Sequence, residues 1–109
     1  MKVLFLPEVE NYFFELTEIL YIKEYFGFKE NAVKYVKDLE DDIRINLNIK
    51  AKRPAPPFFE KYGKKMLYSV FPKSKATHWY VFYNVYQDNG EIIFVVRYIS
   101  NNHMIAQLL

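Results

Sequence analysis

A single arginine, Arg97, lies in a stretch of the chain, residues 78–99, that is otherwise rich in apolar and aromatic side chains. The planar guanidinium of an arginine can hold a phosphate through two parallel hydrogen bonds, so this side chain is a candidate anion ligand. Asn89-Gly90 predicts that the stretch is a β-hairpin, because both residues readily adopt the positive φ of a two-residue loop. A three-residue loop, residues 88–90, is the alternative and would shift the pairing of the strands.

The two-residue loop places polar groups on one face of the hairpin. In that pairing Phe82 faces Arg97, and Tyr80 and Asn84 are the diagonal neighbours of the arginine. This is the face expected to meet a ligand. The opposite face carries no charge and is expected to pack against a core. Its predicted members are Trp79, Val81, Tyr83, Val85, Ile92, Phe94, Val96 and Tyr98.

Two amphipathic helices precede the hairpin and are predicted to form a helical hairpin with acidic outer faces. The first begins at Pro7, has apolar residues at helical spacing through Phe26 and stops at Gly27. The second covers residues 30–47. Its predicted apolar stripe is Val33, Val36, Leu39, Ile43 and Leu47. The acidic outer faces make both helices poor candidates for contact with nucleic acid.

Short strands are predicted at residues 3–6 and 66–71, and an irregular connection, residues 48–65, joins the second helix to the second of these strands. After the hairpin, residues 100–102 can cap a short C-terminal helix. The order β-α-α-β-β-β-α predicts one α+β domain over residues 1–109. Its helical hairpin is expected to pack on a mostly antiparallel, twisted sheet.

Charge is distributed unevenly along the chain. Residues 1–49 carry six basic and ten acidic side chains, whereas residues 50–75 carry eight basic side chains and a single glutamate. A local basic excess of this size indicates an anionic partner for the middle segment. A solvated, lysine-rich loop is the alternative interpretation.

No motif of a small-molecule enzyme is present. The three glycines are not grouped, so there is no glycine-rich phosphate-binding loop. Two isolated histidines and no cysteine do not make a metal site, and the sequence predicts neither a metal nor a cofactor. No signal peptide or membrane span fits the sequence, and the lack of cysteine is compatible with a cytoplasmic location.

The order of elements, the size and three local motifs resemble the RelE/ParE toxin superfamily of bacterial toxin–antitoxin modules, the plasmid-stabilisation type. The motifs are RPAP at residues 53–56, WYVFYNVY at 79–86 and VVRYISNNH at 95–103. They resemble the basic segment after the second helix, the third strand, and the last strand with its exit. The resemblance implies a RelE/ParE-like fold and a cytoplasmic toxin of a type II system, neutralised by a cognate antitoxin protein.

Members of this superfamily differ in activity, and the resemblance leaves two activities open. Some members are mRNA interferases that cleave messenger RNA on the ribosome, and others act on DNA gyrase without cleaving RNA. The arginine of the family's third strand falls here on Tyr80, a glutamate of some members on Ala55, and a histidine-arginine pair on Asn101-Asn102. These departures favour a non-catalytic member that inhibits a protein such as gyrase or only pairs with its antitoxin. The family's basic positions are retained as Lys64, Lys65, Lys73 and Lys75.

For a ribosome-dependent mRNA interferase, the predicted catalytic residues are Arg97, His103 and Tyr80. Arg97 would clamp the phosphate, and His103 would transfer a proton, because histidine changes charge near neutral pH. Tyr80 would orient the substrate or donate a proton, and Tyr80 or Trp79 would stack on an RNA base. The predicted substrate-binding residues are Lys64, Lys65, Lys73, Lys75, Trp79 and Asn84. A surface role for His103 and a structural role for Arg97 are the alternatives.

A partner protein is predicted to cover the face that bears Tyr80, Asn84 and Arg97, because an exposed aromatic sheet face is costly in a free domain. A generic α+β domain that binds a protein through this face is a third interpretation, unrelated to the superfamily.

Overall fold

The computed structural model describes residues 1–23 and 27–109, which form three helices and a five-stranded sheet. The helices are α1 (Pro7–Ile22), α2 (Lys29–Asn46) and α3 (Asn102–Ile105). The strands are β1 (Lys2–Phe5), β2 (Arg53–Pro54), β3 (Leu67–Pro72), β4 (His78–Asp88) and β5 (Glu91–Asn101). Short 3₁₀ segments are Leu47–Ile49, Pro57–Lys61 and Ala106–Leu108. In these described ranges, no helix combines the length and the apolar character that crossing a membrane requires.

The sheet has the strand order β1-β5-β4-β3-β2, and it is mostly antiparallel, as predicted. β1 runs parallel to β5, and each of the other neighbouring pairs is antiparallel. β4 and β5 form the predicted hairpin, with Asp88 paired to Glu91 across the two-residue loop. Asn89 and Gly90 in that loop have φ of 51° and 82°. The two-residue strand β2 lies where the sequence predicts an irregular connection.

The helical hairpin packs on one face of the sheet and encloses the main hydrophobic core. α1 contributes Val9, Phe13 and Leu16, whose spacing of three and four residues places them on one side of the helix. The strand residues that pack in the same core are Val3, Phe5, Phe71, Trp79, Val81, Tyr83, Phe94, Val96 and Ile99. The α+β class and the two-layer arrangement follow from these apolar surfaces, which must be buried against each other.

The helix ends follow the local signals only in part. α1 starts at Pro7 as predicted, but its C-cap is Lys23, before Gly27, and the predicted helical residue Phe26 lies outside the described residues. α3 starts as predicted, because the side chain of Asn101 accepts hydrogen bonds from the main-chain N–H groups of the next turn. In α2, however, the predicted Val33 is exposed.

The start of the α2 stripe is Ala32 rather than Val33. Ala32 is fully buried, whereas Val33 is 48% exposed. Ala32 lies one helical turn before Val36 and continues the buried series Val36, Leu39 and Ile43.

A second, smaller cluster covers the other face of the sheet. Its buried members are Phe59, Met66, Tyr68, Phe82 and Ile105. Phe59, from the 3₁₀ segment Pro57–Lys61, stacks on Phe82 with ring centroids 4.4 Å apart, and Ile105 belongs to α3. The chain's own segments thus cover much of the aromatic surface that was expected to be exposed, and a partner on this face stays a prediction.

Candidate functional site

Arg97 occupies a β-bulge between β4 and β5. From the loop as far as Tyr83, which pairs with Val96, the strands follow the predicted pairing. The next pair is Phe82 with Tyr98, so Arg97 is an extra residue on β5 without a pairing partner on β4. The predicted pairing of Phe82 with Arg97 is wrong, and the shift moves Tyr98 away from the predicted core face.

The bulge also decides which side chains enter the main core. Ile99 lies in that core, whereas Tyr98 packs on the second face against Phe82. Val85 and Ile92, predicted on the core face, are 42% and 46% exposed. They lie at the loop end of the hairpin, beyond the strand residues that belong to the core.

The guanidinium of Arg97 is held by two side chains of β4. Its Nε donates to Oδ1 of Asn84 at 2.6 Å, and its Nη2 donates to the hydroxyl of Tyr86 at 2.9 Å. These bonds use only part of the donors of the guanidinium, and the residue is only partly buried. The arginine is thus fixed in direction while it keeps donors for an anion.

Asn84 connects Arg97 to a neighbouring turn. Its Nδ2 donates to the main-chain carbonyls of Lys64, at 3.0 Å, and Lys65, at 3.4 Å. Lys65 has a φ of 54°, in the left-handed region, so this turn has a specific shape that the amide of Asn84 supports. Because both ends of the amide bond within the protein, Asn84 in this structure positions other groups rather than presenting itself to a ligand.

The turn itself packs directly on the arginine. A Cβ added to Gly63 would lie 2.6 Å from Cδ of Arg97, so only glycine allows this approach without movement. Residues 61–65, which we call the basic turn, contain Lys61, Lys64 and Lys65. The fold therefore brings Arg97 together with a segment that carries three further cations.

A cavity of about 570 Å³ lies beside Arg97 and between the basic turn and α1. Tyr12, Tyr62 and Tyr98 are among its lining residues, and the rings of the last two stack with centroids 3.9 Å apart. Burial raises the pKa of Tyr12 to about 12, and burial also raises the pKa of Tyr98 above its ordinary value. The hydroxyls of Tyr12 and Tyr98 therefore stay neutral at physiological pH, and they suit hydrogen bonding to a ligand rather than proton abstraction.

His103 lies beside a different cavity. Its Nε2 is 3.1 Å from Oγ1 of Thr77, and it lines a space of about 490 Å³ together with Lys73. The two cavities share Tyr12 and Met104, but Arg97 lines only the first and His103 only the second. The structure therefore does not bring the predicted phosphate ligand and the predicted proton carrier into contact.

Trp79 and Tyr80 lie on opposite faces of β4. Trp79 is 2% exposed, and its indole N–H donates to the hydroxyl of Tyr35 at 2.9 Å, so it would have to leave the core to stack on a base. Tyr80 is partly buried on the second face and packs edge-on against Tyr68, with ring centroids 6.1 Å apart. Of the two aromatic candidates, only Tyr80 lies on the same face as Arg97.

The four predicted lysines form two separate groups. Lys64 and Lys65 are exposed on the basic turn beside Arg97. Lys73 and Lys75 belong to the loop between β3 and β4, and Nζ of Lys73 lies 5.3 Å from the ring centroid of Tyr35. The first group accompanies Arg97, and the second lies on the same loop as the partner of His103.

Three contributors to the arginine site are absent from the predicted site residues. Lys61 lies within the basic segment, and Tyr86 alternates onto the same face as Asn84, so the sequence carried a signal for both. Gly63 carried none, because its importance comes from the approach of a side chain distant in sequence.

Within residues 1–23 and 27–109, no group of three or more His, Asp or Glu side chains is placed to hold a metal ion. Comparisons of the chain with protein-family models, with curated proteins and with solved structures find no match.

Proposed function

We propose that this chain is a toxin of the RelE/ParE type, the toxin component of a type II toxin–antitoxin system, whose target site is built around Arg97. The observation that carries the proposal is the set of bonds from Asn84 to Arg97 and to the basic turn. These bonds assemble several cations on one side of the sheet. Such an assembly suits a polyanionic target such as RNA on the ribosome.

The α+β architecture supports this proposal. A helical hairpin packs on one face of a mostly antiparallel sheet, and the last long strand carries the arginine. In an mRNA interferase, Arg97 would stabilise the charge that develops on the phosphate, and the basic turn would bind the flanking phosphates. Tyr80 is the aromatic candidate on the same face for base stacking.

The alternative is a non-catalytic toxin that inhibits a protein target such as DNA gyrase, or a chain that only pairs with its antitoxin. The separation of Arg97 and His103 into two cavities favours it. General acid–base catalysis needs a proton carrier within hydrogen-bond reach of the reacting group, directly or through one water. A substrate that joins the two cavities would be required for His103 to act on a phosphate held by Arg97.

Induced expression in bacteria tests the proposal. We expect the wild-type protein to arrest growth, Arg97→Ala to relieve the arrest, and coexpression with the protein encoded by the adjacent gene to prevent it. Arg44→Ala is a matched control, because Arg44 lies on α2 and pairs with Glu40 at 3.4 Å. This control variant should remain toxic.

Messenger RNA ends and gyrase supercoiling separate the two activities. Cleaved RNA whose appearance depends on Arg97 supports the interferase, and further dependence on His103 would show that a substrate bridges the cavities. Growth arrest with intact RNA and inhibited supercoiling supports the gyrase-type alternative. Unimpaired growth without binding to the adjacent protein would argue against a toxin of either kind.

A further inference from the structure

Strand β5 has an unpaired outer edge near its C-terminal end. β1 pairs only with Ile93–Val96 of β5, whereas β5 continues to Asn101. The chain leaves the sheet after β1, since the N–H of Leu6 makes the last bond, to the carbonyl of Val96 at 3.0 Å. In the part of the chain that the structure describes, no strand lies beside β5 beyond this point.

The unpaired edge presents main-chain groups to the Arg97 cavity. The carbonyl of Val96 faces outward, and main-chain groups alternate between the two edges of a strand. The bulge makes Arg97 an extra residue between Val96 and Tyr98 on β5. The next residue whose main chain faces outward is therefore Ile99. Ile99 lines the cavity of about 570 Å³, and so does Leu6, where the chain leaves the sheet.

The two sides of this cavity differ in chemistry. On the helical side, Leu6, Val9 and Tyr12 are apolar or neutral, and the carboxylates of Glu8 and Glu15 also line the wall. On the other side its walls include Lys61 and Arg97, which are cationic. A strand placed between these walls directs alternate side chains to the two sides.

We propose that this edge accepts an extended segment of a partner protein in which apolar and acidic side chains alternate. The segment would form main-chain hydrogen bonds with β5 beyond Val96, where β1 no longer pairs with it, and would thus extend the sheet. The apolar side chains would fill the helical side, and the acidic ones would meet Lys61 and Arg97. Glu8 and Glu15 of α1 also line the cavity and repel acidic side chains. They therefore favour the orientation in which the acidic side chains of the segment face away from α1.

This inference deepens the proposed function, because the antitoxin of a toxin is a source of such a segment and would occupy the arginine of the target site. Peptide binding is measured on the purified protein without growth or RNA cleavage. A negative result for peptide binding at the β5 edge can therefore be distinguished from a negative result for toxicity.

The test uses a labelled synthetic peptide of alternating valine and glutamate, with a valine–lysine peptide as the matched control. Binding is followed by fluorescence anisotropy, and the site is located by amide chemical shifts. We expect the valine–glutamate peptide to bind and to shift the amide of Ile99. Lys61→Glu should weaken it about fivefold, the effect of roughly 1 kcal/mol for an exposed charge pair, whereas Lys34→Glu on α2 should leave it unchanged.

N-methylated peptides test the strand pairing itself. Methyl groups on the valine amides or on the glutamate amides remove donors from opposite edges of the peptide. Only one series should lose binding, about tenfold for two main-chain hydrogen bonds of roughly 0.7 kcal/mol each. Equal binding of the glutamate and lysine peptides, equal effects of the two methylated series, or no shift at Ile99 would overturn the proposal.

Discussion

Replacing Asn84 by alanine is expected to separate Arg97 from the basic turn and to lower the free energy of unfolding. The side chain accepts from Nε of Arg97 at 2.6 Å and donates to the carbonyl of Lys64 at 3.0 Å. A hydrogen bond to a charged group contributes about 1.5–3 kcal/mol, and a neutral one about 0.5–1.5 kcal/mol. Because the site is only partly buried, water replaces part of both, and a loss of about 2 kcal/mol is expected.

A double-mutant cycle in urea unfolding measures how much of this loss of unfolding free energy depends on the interaction between Asn84 and Arg97. Arg97→Met is the second variant, because methionine keeps an apolar stem beside Gly63 but has no guanidinium. We expect a coupling free energy of about 1–2 kcal/mol between Asn84→Ala and Arg97→Met. Asn84→Asp is the matched control, since it keeps the acceptor for Arg97 and removes the donor to the turn.

RNA affinity distinguishes a positioning role of Asn84 from a purely structural one, because replacing a purely structural asparagine would leave the RNA affinity of the folded protein unchanged. If Asn84 positions Arg97, Asn84→Ala should weaken RNA binding nearly as much as Arg97→Met does, with the protein still folded. Asn84→Asp should keep most of its coupling to Arg97 in the unfolding cycle. Additive losses in the two single variants, or unchanged RNA binding in folded Asn84→Ala, would refute the reasoning.

Three further predictions concern the same region. Gly63→Ala should lower the free energy of unfolding by about 1–3 kcal/mol, because the new methyl group would lie 2.6 Å from Cδ of Arg97. The raised pKa of Tyr12 should make the protein less stable from pH about 10 towards pH about 12, where the unfolded chain loses a proton that the folded protein keeps. Tyr12→Phe should flatten this part of the curve of unfolding free energy against pH. Replacing Lys64 and Lys65 by glutamine should reduce the slope of log RNA affinity against log salt by about one to two, at about 0.7 for each single-strand phosphate contact.

Each of these predictions has a control in the chain. Gly27→Ala should be nearly neutral, since an added Cβ there meets no described atom within 4 Å. Unfolding between pH 6 and 8, roughly, should be unaffected by the ionisation of Tyr12, because both states are then protonated. Lys34→Gln, on α2, should leave the salt slope unchanged. A stable Gly63→Ala protein, a Tyr12→Phe curve parallel to wild type, or an unchanged slope in the lysine variant would each contradict the corresponding assignment.

The elements governed by local interactions could be predicted from the sequence. The start of α1 at Pro7, the Asn89-Gly90 loop and the cap at Asn101 depend on residues within a few positions of one another. The buried faces of the helices follow because apolar side chains at helical spacing must be removed from water together. The α+β class and the mostly antiparallel sheet follow from those patterns.

The bulge at Arg97 depended on tertiary packing. A hairpin with the bulge and a hairpin without it have the same Asn89-Gly90 loop and nearly the same alternation of side chains. The sequence alone could therefore not distinguish the two pairings. Packing Ile99 into the main core and Tyr98 against Phe82 on the second face requires one extra residue between Val96 and Tyr98. The position and bonds of Arg97 follow from that extra residue.

The composition of the candidate site was also decided in three dimensions. The sequence identified Arg97, Asn84 and the lysines as residue types suited to an anion. It could not show that Asn84 bonds within the protein or that His103 lies beside another cavity. Hydrogen bonds and cavities join residues far apart in the chain, and their geometry exists only after the helices, the sheet and the connecting turns have packed.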